Sequence, residues 1–362
     1  MTVSYLGVVA DTAAVDATIR DFLAERRAEA DPLGNDLAAM VAELEDFVLR
    51  GGKRIRPAFA WLGWIGAGGD PQDAVAPAVL RACAGFELLH SSGLIHDDII
   101  DASRTRRGHP AAHVTYAERH RTRHFTGDPE AFGTGAAILI GDLALIWADA
   151  LIRACGLPAD AQARVSPVWS AVRSEVMYGQ LLDLVNQASD EEDVDAALLV
   201  NQYKTASYTV VRPLQFGAAI AGADADLVAA YGAFGADIGI AFQLRDDLLG
   251  VFGDPALTGK PAVDDLREGK RTVLLATALR RADEQDPESA KFIREKIGED
   301  LSEDDFARIR AILVDVGAVE DIETQIALRT DKAIAVLAAS SATGPAKQQL
   351  AEMAIKATQR AQ

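Results

Sequence analysis

Apolar positions recur at three- and four-residue spacings along nearly the whole chain, which is the signature of helices with one buried face. The pattern predicts helices over roughly 11–30, 36–50, 54–66, 73–103, 135–156, 160–190, 192–220, 224–253, 270–283, 287–296, 302–317, 319–341 and 344–361. β-branched alternation is scarce, so the expected fold class is all-α. Pro57 suits a first helical turn, residues 66–71 read as a turn, and residues 254–270 as a Gly/Pro-broken loop. Residues 118–135 break the pattern with ERHRTRH, Phe125, Gly127, Asp128, Pro129 and further glycines, and read as a long exposed loop. No linker separates two compositions, and no fixed repeat or low-complexity tract is found. One domain over residues 1–362 is therefore expected.

The most apolar stretch, 136–155, carries Asp142, Asp149 and Arg153 on one stripe, which fits a core helix better than a membrane span. The first residues lack a basic n-region and a long apolar run, so export is not expected and a cytoplasmic location is. Cys83 and Cys155 sit in apolar helices without zinc or disulfide spacing, as buried free thiols would. The formal charge of −18 disfavours nucleic acid and anionic membranes as partners, so any polyanionic ligand needs a local basic site.

Charge then changes the picture at two places. HDDIID puts Asp97, Asp98 and Asp101 within an apolar helix, and FQLRDDLLGVFGD puts Asp246, Asp247 and Asp254 on another. Like charges at such spacing cost a few tenths of a kcal/mol per pair at a surface and much more when desolvated. A hard divalent cation bound through carboxylates, waters and substrate phosphates relieves that repulsion, and magnesium binds in this way. A solvated acidic face is the bland alternative, but Leu94, Ile95, Ile99 and Ile100 surround the first cluster. Two such motifs on separate helices suggest two metal-binding walls of one cavity. Gln243, Asp247, Gly250 and Asp254 follow a single stripe. Cations gather near these motifs: Lys53 and Arg56 in GGKRIRP at a helix start, Arg106 and Arg107 in RTRRG, Lys204 with Thr205, Lys260 in TGKP, and Lys270.

With GGKRIRP, FELLH through HDDIID to RRG, Lys204–Thr205, FQLRDD and GDPALTGKP in this order, the chain resembles the trans-isoprenyl diphosphate synthase, or polyprenyl synthetase, family between Phe47 and Thr272. It looks most like the geranylgeranyl diphosphate synthases. The resemblance implies a single helical bundle of isoprenoid synthase type around a central cavity, usually a homodimer, with three magnesium ions per active site. It also implies condensation of isopentenyl diphosphate with dimethylallyl, geranyl or farnesyl diphosphate by ionisation, condensation and elimination. Carried over residue by residue, Lys53, Arg56, His90 and Arg107 bind isopentenyl diphosphate. Arg106, Lys204, Thr205, Gln243, Lys260 and Lys270 face the allylic diphosphate, Lys204 and Gln243 with catalytic roles. Asp97, Asp98, Asp101, Asp246 and Asp247 hold the metals.

The chain departs from the family at Gly250, where many members have the third aspartate of a second DDxxD, and Asp254 is a candidate substitute. In the family, positions four and five before the first aspartate help set the floor of the product tunnel; here they are the small Gly93 and Ser92. At 1.5 Å per residue, a floor there lies about 6–8 Å along the helix from Asp97, whereas Leu89 and Phe86 lie at about 12 and 16 Å. The extra depth suits a twenty-carbon product, with farnesyl or longer polyprenyl diphosphates as alternatives. A class I terpene cyclase needs only one diphosphate substrate and a different second motif. A non-catalytic partner subunit is expected to have eroded aspartates, and these are intact.

Overall fold

The computed structural model describes residues 12–253 and 264–359, and the described chain is helical almost throughout. Asp254 and Lys260 lie outside the described residues. In order, the helices are α1 (Thr12–Ala30), α2 (Asn35–Leu49), α3 (Ile55–Gly66), α4 (Ala76–Ile100), α5 (Ala112–Thr122), α6 (Pro129–Arg153), α7 (Ala159–Ala188) and α8 (Val194–Val200). A π-helix, Asn201–Val211, leads into α9 (Arg212–Ala221) and α10 (Ala225–Phe252). The short α11 (Asp264–Arg267) precedes α12 (Val273–Gln285), α13 (Pro287–Lys296), α14 (Glu303–Asp315), α15 (Ala318–Ala339) and α16 (Gly344–Thr358). Backbone contacts group the chain into two compact units, residues 1–166 with 216–222, and residues 167–215 with 223–362.

In the first unit, α4 is buried along most of its length, and Trp61, Phe86 and Phe216 fill the centre. The ring edge of one phenylalanine meets the face of the other at 5.2 Å between Phe86 and Phe216. Between α4 and α5 the chain forms one small hairpin, Thr105–Arg106 paired antiparallel with His109–Pro110. Arg107 and Gly108 both take positive φ, 52° and 75°, as a two-residue turn of type I′ requires. RTRRG thus folds as a hairpin, which helical periodicity does not reveal.

The expected loop 118–135 is not a loop: α5 runs to Thr122 and α6 starts at Pro129, leaving only residues 123–128 between them. The residues read as loop punctuation have other tasks. The Asp128 carboxylate accepts the Glu130 N–H at 3.1 Å as a helix cap, and Pro129 takes the first helical position, where its missing N–H costs nothing. Gly133 lets α6 approach α5, since a Cβ there would collide with the His113 carbonyl.

In the second unit, α10 is apolar on nearly all sides and packs with α12, α14 and α15 around Leu244, Leu248, Leu275, Leu279, Ile309 and Ile322. Two ionic ties, each with its buried member on α10, fix this helix. Arg245 forks onto Glu323 with two 2.6 Å bonds and donates to the Thr358 carbonyl at 2.9 Å, while Asp237 takes Arg329 and Lys332 at 3.2 and 2.9 Å. α6 and α10 are each long and apolar enough to cross a membrane, yet about half of each apolar stretch is buried inside the protein.

The expected helix 192–220 is three segments, because the middle is wound with five-residue hydrogen bonds such as Arg212 N–H to Ser207 O. Glycines hold this wide turn in place. A Cβ at Gly179 of α7 would strike the Lys204 backbone, and one at Gly239 of α10 would strike Ala206. Gly179→Ala or Gly239→Ala is therefore expected to destabilise the protein by about 1–3 kcal/mol through overpacking. A lowered denaturant midpoint with an unchanged slope checks this; an unshifted midpoint would mean that the π-helix does not depend on these close approaches.

Candidate active site

α4 ends at Ile100, so Asp101 stands at its C-cap rather than inside the helix, its N–H still donating to Asp97 O at 2.9 Å. Asp98 is fully buried. It survives there because the hairpin delivers Arg106, whose Nε donates to Asp98 Oδ1 at 2.8 Å and whose Nη2 also bonds Asp98 and reaches Asp97 Oδ2 at 3.4 Å. Burial works to lower the Arg106 pKa, but the hydrogen bond to Asp98 and the fields of Asp98, Asp97 and Asp101 raise it above its usual value.

Next along the hairpin, Arg107 turns the other way and donates to Gly51 O at 2.7 Å. Its pKa is lowered by burial and by the neighbouring Arg106, Arg54 and Arg56, against the pull of Glu87. A cavity of about 60 Å³ opens here, its wall including Arg50, Arg54, Glu87, His90, Arg106 and Arg107. His90 is held well below its ordinary pKa by burial and by Arg56, Arg107, Arg106 and Arg54 in turn, so the ring is neutral at pH 7. A pocket this rich in guanidinium groups favours an anion with several oxygens.

Arg54 and Glu87 were not singled out from the sequence. Arg54 starts α3 in a left-handed conformation, φ 47°, and is fixed by Asp16 at 2.7 Å, Glu87 at 2.8 Å and the Val48 carbonyl at 2.9 Å. It thereby sets the turn that carries Lys53 and Arg56, of which Lys53 is exposed; the cavity wall itself is formed without either. The sequence signal was Glu87, a carboxylate set among apolar residues of α4, which needs a buried partner.

Of the four residues expected to bound the product, Phe86, Leu89 and Ser92 are buried in the core of the first unit. At Gly93, by contrast, an added Cβ would meet nothing within 4 Å.

In the second unit, Lys204 and Thr205 lie on the π-helix. Lys204 Nζ donates to Asp183 Oδ2 of α7 at 2.6 Å, a partner the sequence reading missed. Thr205 donates to Gln243 Oε1 at 2.7 Å, and Gln243 Nε2 donates to Asp247 Oδ1 at 2.8 Å. This relay joins two members of the expected stripe, Gln243 and Asp247, to Thr205 on the π-helix. Asp247 is only 5% exposed, and its Oδ2 has no hydrogen-bond partner. Burial pushes its pKa up to about 8; the Gln243 bond lowers it, Asp265 and then Asp246 raise it, and Lys270 lowers it. Lys270 contacts Glu268 at 2.8 Å and Asp265 at 3.4 Å.

Among the described residues no three His, Cys, Asp or Glu side chains converge tightly enough to cage a metal on their own. Acidic oxygens that need several further ligands from phosphate and water suit magnesium, which is bound through one or two carboxylates plus substrate. The bare Oδ2 of Asp247 fits the same donor set.

The polyprenyl synthetase family model matches residues 38–313. This chain belongs to the polyprenyl synthetase family. It is a prenyltransferase. A geranylgeranyl pyrophosphate synthase from Corynebacterium glutamicum, solved in complex with isoprenyl diphosphate and magnesium, is 46% identical, with a TM-score of 0.93 over 96% of this chain and 98% of that one. A putative geranylgeranyl pyrophosphate synthase from the same organism is 42% identical, with a TM-score of 0.85 over 96% of each chain. A geranylfarnesyl diphosphate synthase from Aeropyrum pernix is 34% identical over 290 residues, 79% of this chain and 83% of that one. The family match, the TM-scores and the helical architecture agree with the all-α isoprenoid synthase fold.

The raised Asp247 pKa makes a pH prediction. The native state keeps a proton that the unfolded chain gives up above its ordinary 3.8, so this group's contribution to metal-free stability is lost progressively as pH rises from about 3.8 to about 8. Asp247→Asn, which cannot ionise, is expected to be more stable than the parent protein at pH 9, with the gap narrowing toward pH 5. Denaturant melts with a chelator present measure it; a pH-independent gap would contradict the assigned shift.

Proposed function

We propose that the chain is a geranylgeranyl diphosphate synthase, which adds isopentenyl diphosphate to an allylic diphosphate with release of diphosphate. The observation that carries this reading is the back-to-back placement of Arg106 and Arg107. One guanidinium is bonded to the first aspartate motif and the next lines the cationic cavity, so a site for a second diphosphate adjoins the metal-binding carboxylates. A cyclase has no use for that second anion site. The family model runs unbroken through segments of both units, which supports reading residues 1–362 as one catalytic domain.

Asp97, Asp98, Asp101, Asp246 and Asp247 are assigned to hold magnesium, three ions with the substrate. Bound there, magnesium supplies charge neutralisation for the departing diphosphate. Lys204 and Arg106 add fixed positive charge where the C–O electron pair goes, with Lys270 and Lys260 assigned to the same diphosphate. Thr205 and Gln243 orient Asp247. Arg107, the neutral His90, Lys53 and Arg56 hold isopentenyl diphosphate so that its double bond attacks the allylic carbon, after which a proton leaves the adjacent carbon and restores the double bond. Gly93, where an added Cβ would meet nothing within 4 Å, is assigned to the wall along which the product grows.

We also infer a homodimer and a cytoplasmic location. α6 leaves Ile138, Leu139 and Ile146 exposed along one stripe, as a second copy would cover. Buried, unpaired thiols at Cys83 and Cys155 suit a reducing compartment.

Purified protein given isopentenyl diphosphate, magnesium and each allylic primer is expected to yield mainly the twenty-carbon diphosphate. A main product of fifteen or twenty-five carbons overturns the product assignment, and a cyclised hydrocarbon made without isopentenyl diphosphate favours the cyclase. Asp97→Ala is expected to lower kcat about a hundredfold or more with the helical spectrum intact. Gly93→Phe is expected to shorten the product by closing the free space; unchanged length would place the floor elsewhere.

A further inference from the structure

Gly250 stands one turn beyond Asp246 on α10, where the second aspartate motif lacks its third carboxylate. The space over it is filled: a Cβ at position 250 would run into Asp265 Oδ2. Asp265 comes from α11, a separate four-residue helix, and is a partly buried carboxylate. We propose that Asp265 supplies the third carboxylate of the second aspartate motif, replacing the side chain that Gly250 lacks and serving, directly or through water, the divalent cation that accompanies the allylic diphosphate. This rests on the proposed function.

Three observations support it. Asp247 Oδ2, deeply buried and without a hydrogen-bond partner, calls for a cation or water at this place. The Asp265 carboxylate lies where a side chain at position 250 of α10 would begin, so it occupies the place of the absent third carboxylate. Asp265 is also not required as the anchor of Lys270, because Glu268 lies closer to that ammonium, 2.8 against 3.4 Å. An aspartate at position 250 would require the Asp265 carboxylate to swing aside, so the carboxylate should be movable from one position to the other.

The backbone around Asp265 is held without its side chain, by Lys270 N–H to Asp265 O at 3.0 Å and by Gly298 N–H to Leu266 O at 3.0 Å. Asp265→Ala should therefore keep its fold, which circular dichroism and a thermal melt establish. The test is calorimetric binding of dimethylallyl S-thiolodiphosphate, a poorly ionising analogue of the allylic substrate, with and without magnesium. Asp265→Ala is expected to weaken magnesium-dependent binding by about tenfold or more, the effect of losing a carboxylate that supports a metal, while magnesium-independent binding stays unchanged. Gly250→Asp alone should also weaken it, by forcing Asp265 aside. Gly250→Asp combined with Asp265→Ala should recover most of the loss, because the carboxylate then returns on α10, whereas Gly250→Ala with Asp265→Ala should not. Wild-type affinity in Asp265→Ala, or a combined Gly250→Asp/Asp265→Ala variant no better than Asp265→Ala, overturns the inference. If Asp97→Ala loses magnesium-dependent binding while Asp265→Ala does not, this inference falls alone; if the unmodified protein shows no magnesium dependence, the proposed function falls with it.

Discussion

Carboxylates inside apolar helices cost free energy unless something nearby takes up their charge, and much of each unit is arranged around that cost. Asp98 on α4 has no water to turn to, and the hairpin between α4 and α5 exists in a form that hands it Arg106. Asp247 on α10 is answered differently. Thr205 and Gln243 relay a hydrogen bond to one of its oxygens, and its proton affinity rises to cover the rest. Other arginines, such as Arg121 and Arg164, pair with carboxylates at the surface instead. The glycine contacts at Gly179 and Gly239 belong to the same arrangement, because they set the depth at which the π-helix carries Lys204 and Thr205.

Most helices were legible from spacing because each buries one face, and the 3.6-residue period records that face directly. Both aspartate motifs were legible for the same reason. The misread stretch 118–135 shows where the period fails: Asp128, Pro129 and Gly133 are loop formers by composition, but a cap, a first-turn proline and a close-packing glycine use the same residues within helices. The π-helix was hidden because a widened turn leaves the apolar count intact while shifting its register. Arg54 with Glu87, Lys204 with Asp183, and Gly250 with Asp265 join residues 15 to 33 positions apart, and helical spacing reports on neighbours three or four apart only.

The four residues grouped as a product floor divide once packing is known. Phe86 is locked edge-on against Phe216, and Leu89 and Ser92 are core residues, whereas Gly93 alone borders free space. A glycine on a buried helix gives up helical propensity, about 1 kcal/mol relative to alanine, so an open face there is maintained against a local cost.

Backbone strain points to the same places as charge. Five non-glycine residues take positive φ among those described, and Arg54, Ala102 and Arg107 are three of them. Each follows or carries a site group: Arg54 comes between Lys53 and Arg56, Ala102 follows Asp101, and Arg107 follows Arg106. A left-handed arginine or alanine costs on the order of 1 kcal/mol or more, and such residues persist only where surrounding bonds over-determine them. Arg54 meets that condition with its three partners, and Arg107 meets it through the paired hairpin and its bond to Gly51. The strain fixes where Arg54, Arg106 and Arg107 leave the backbone, so the fold itself sets the guanidinium groups in the wall of this cavity.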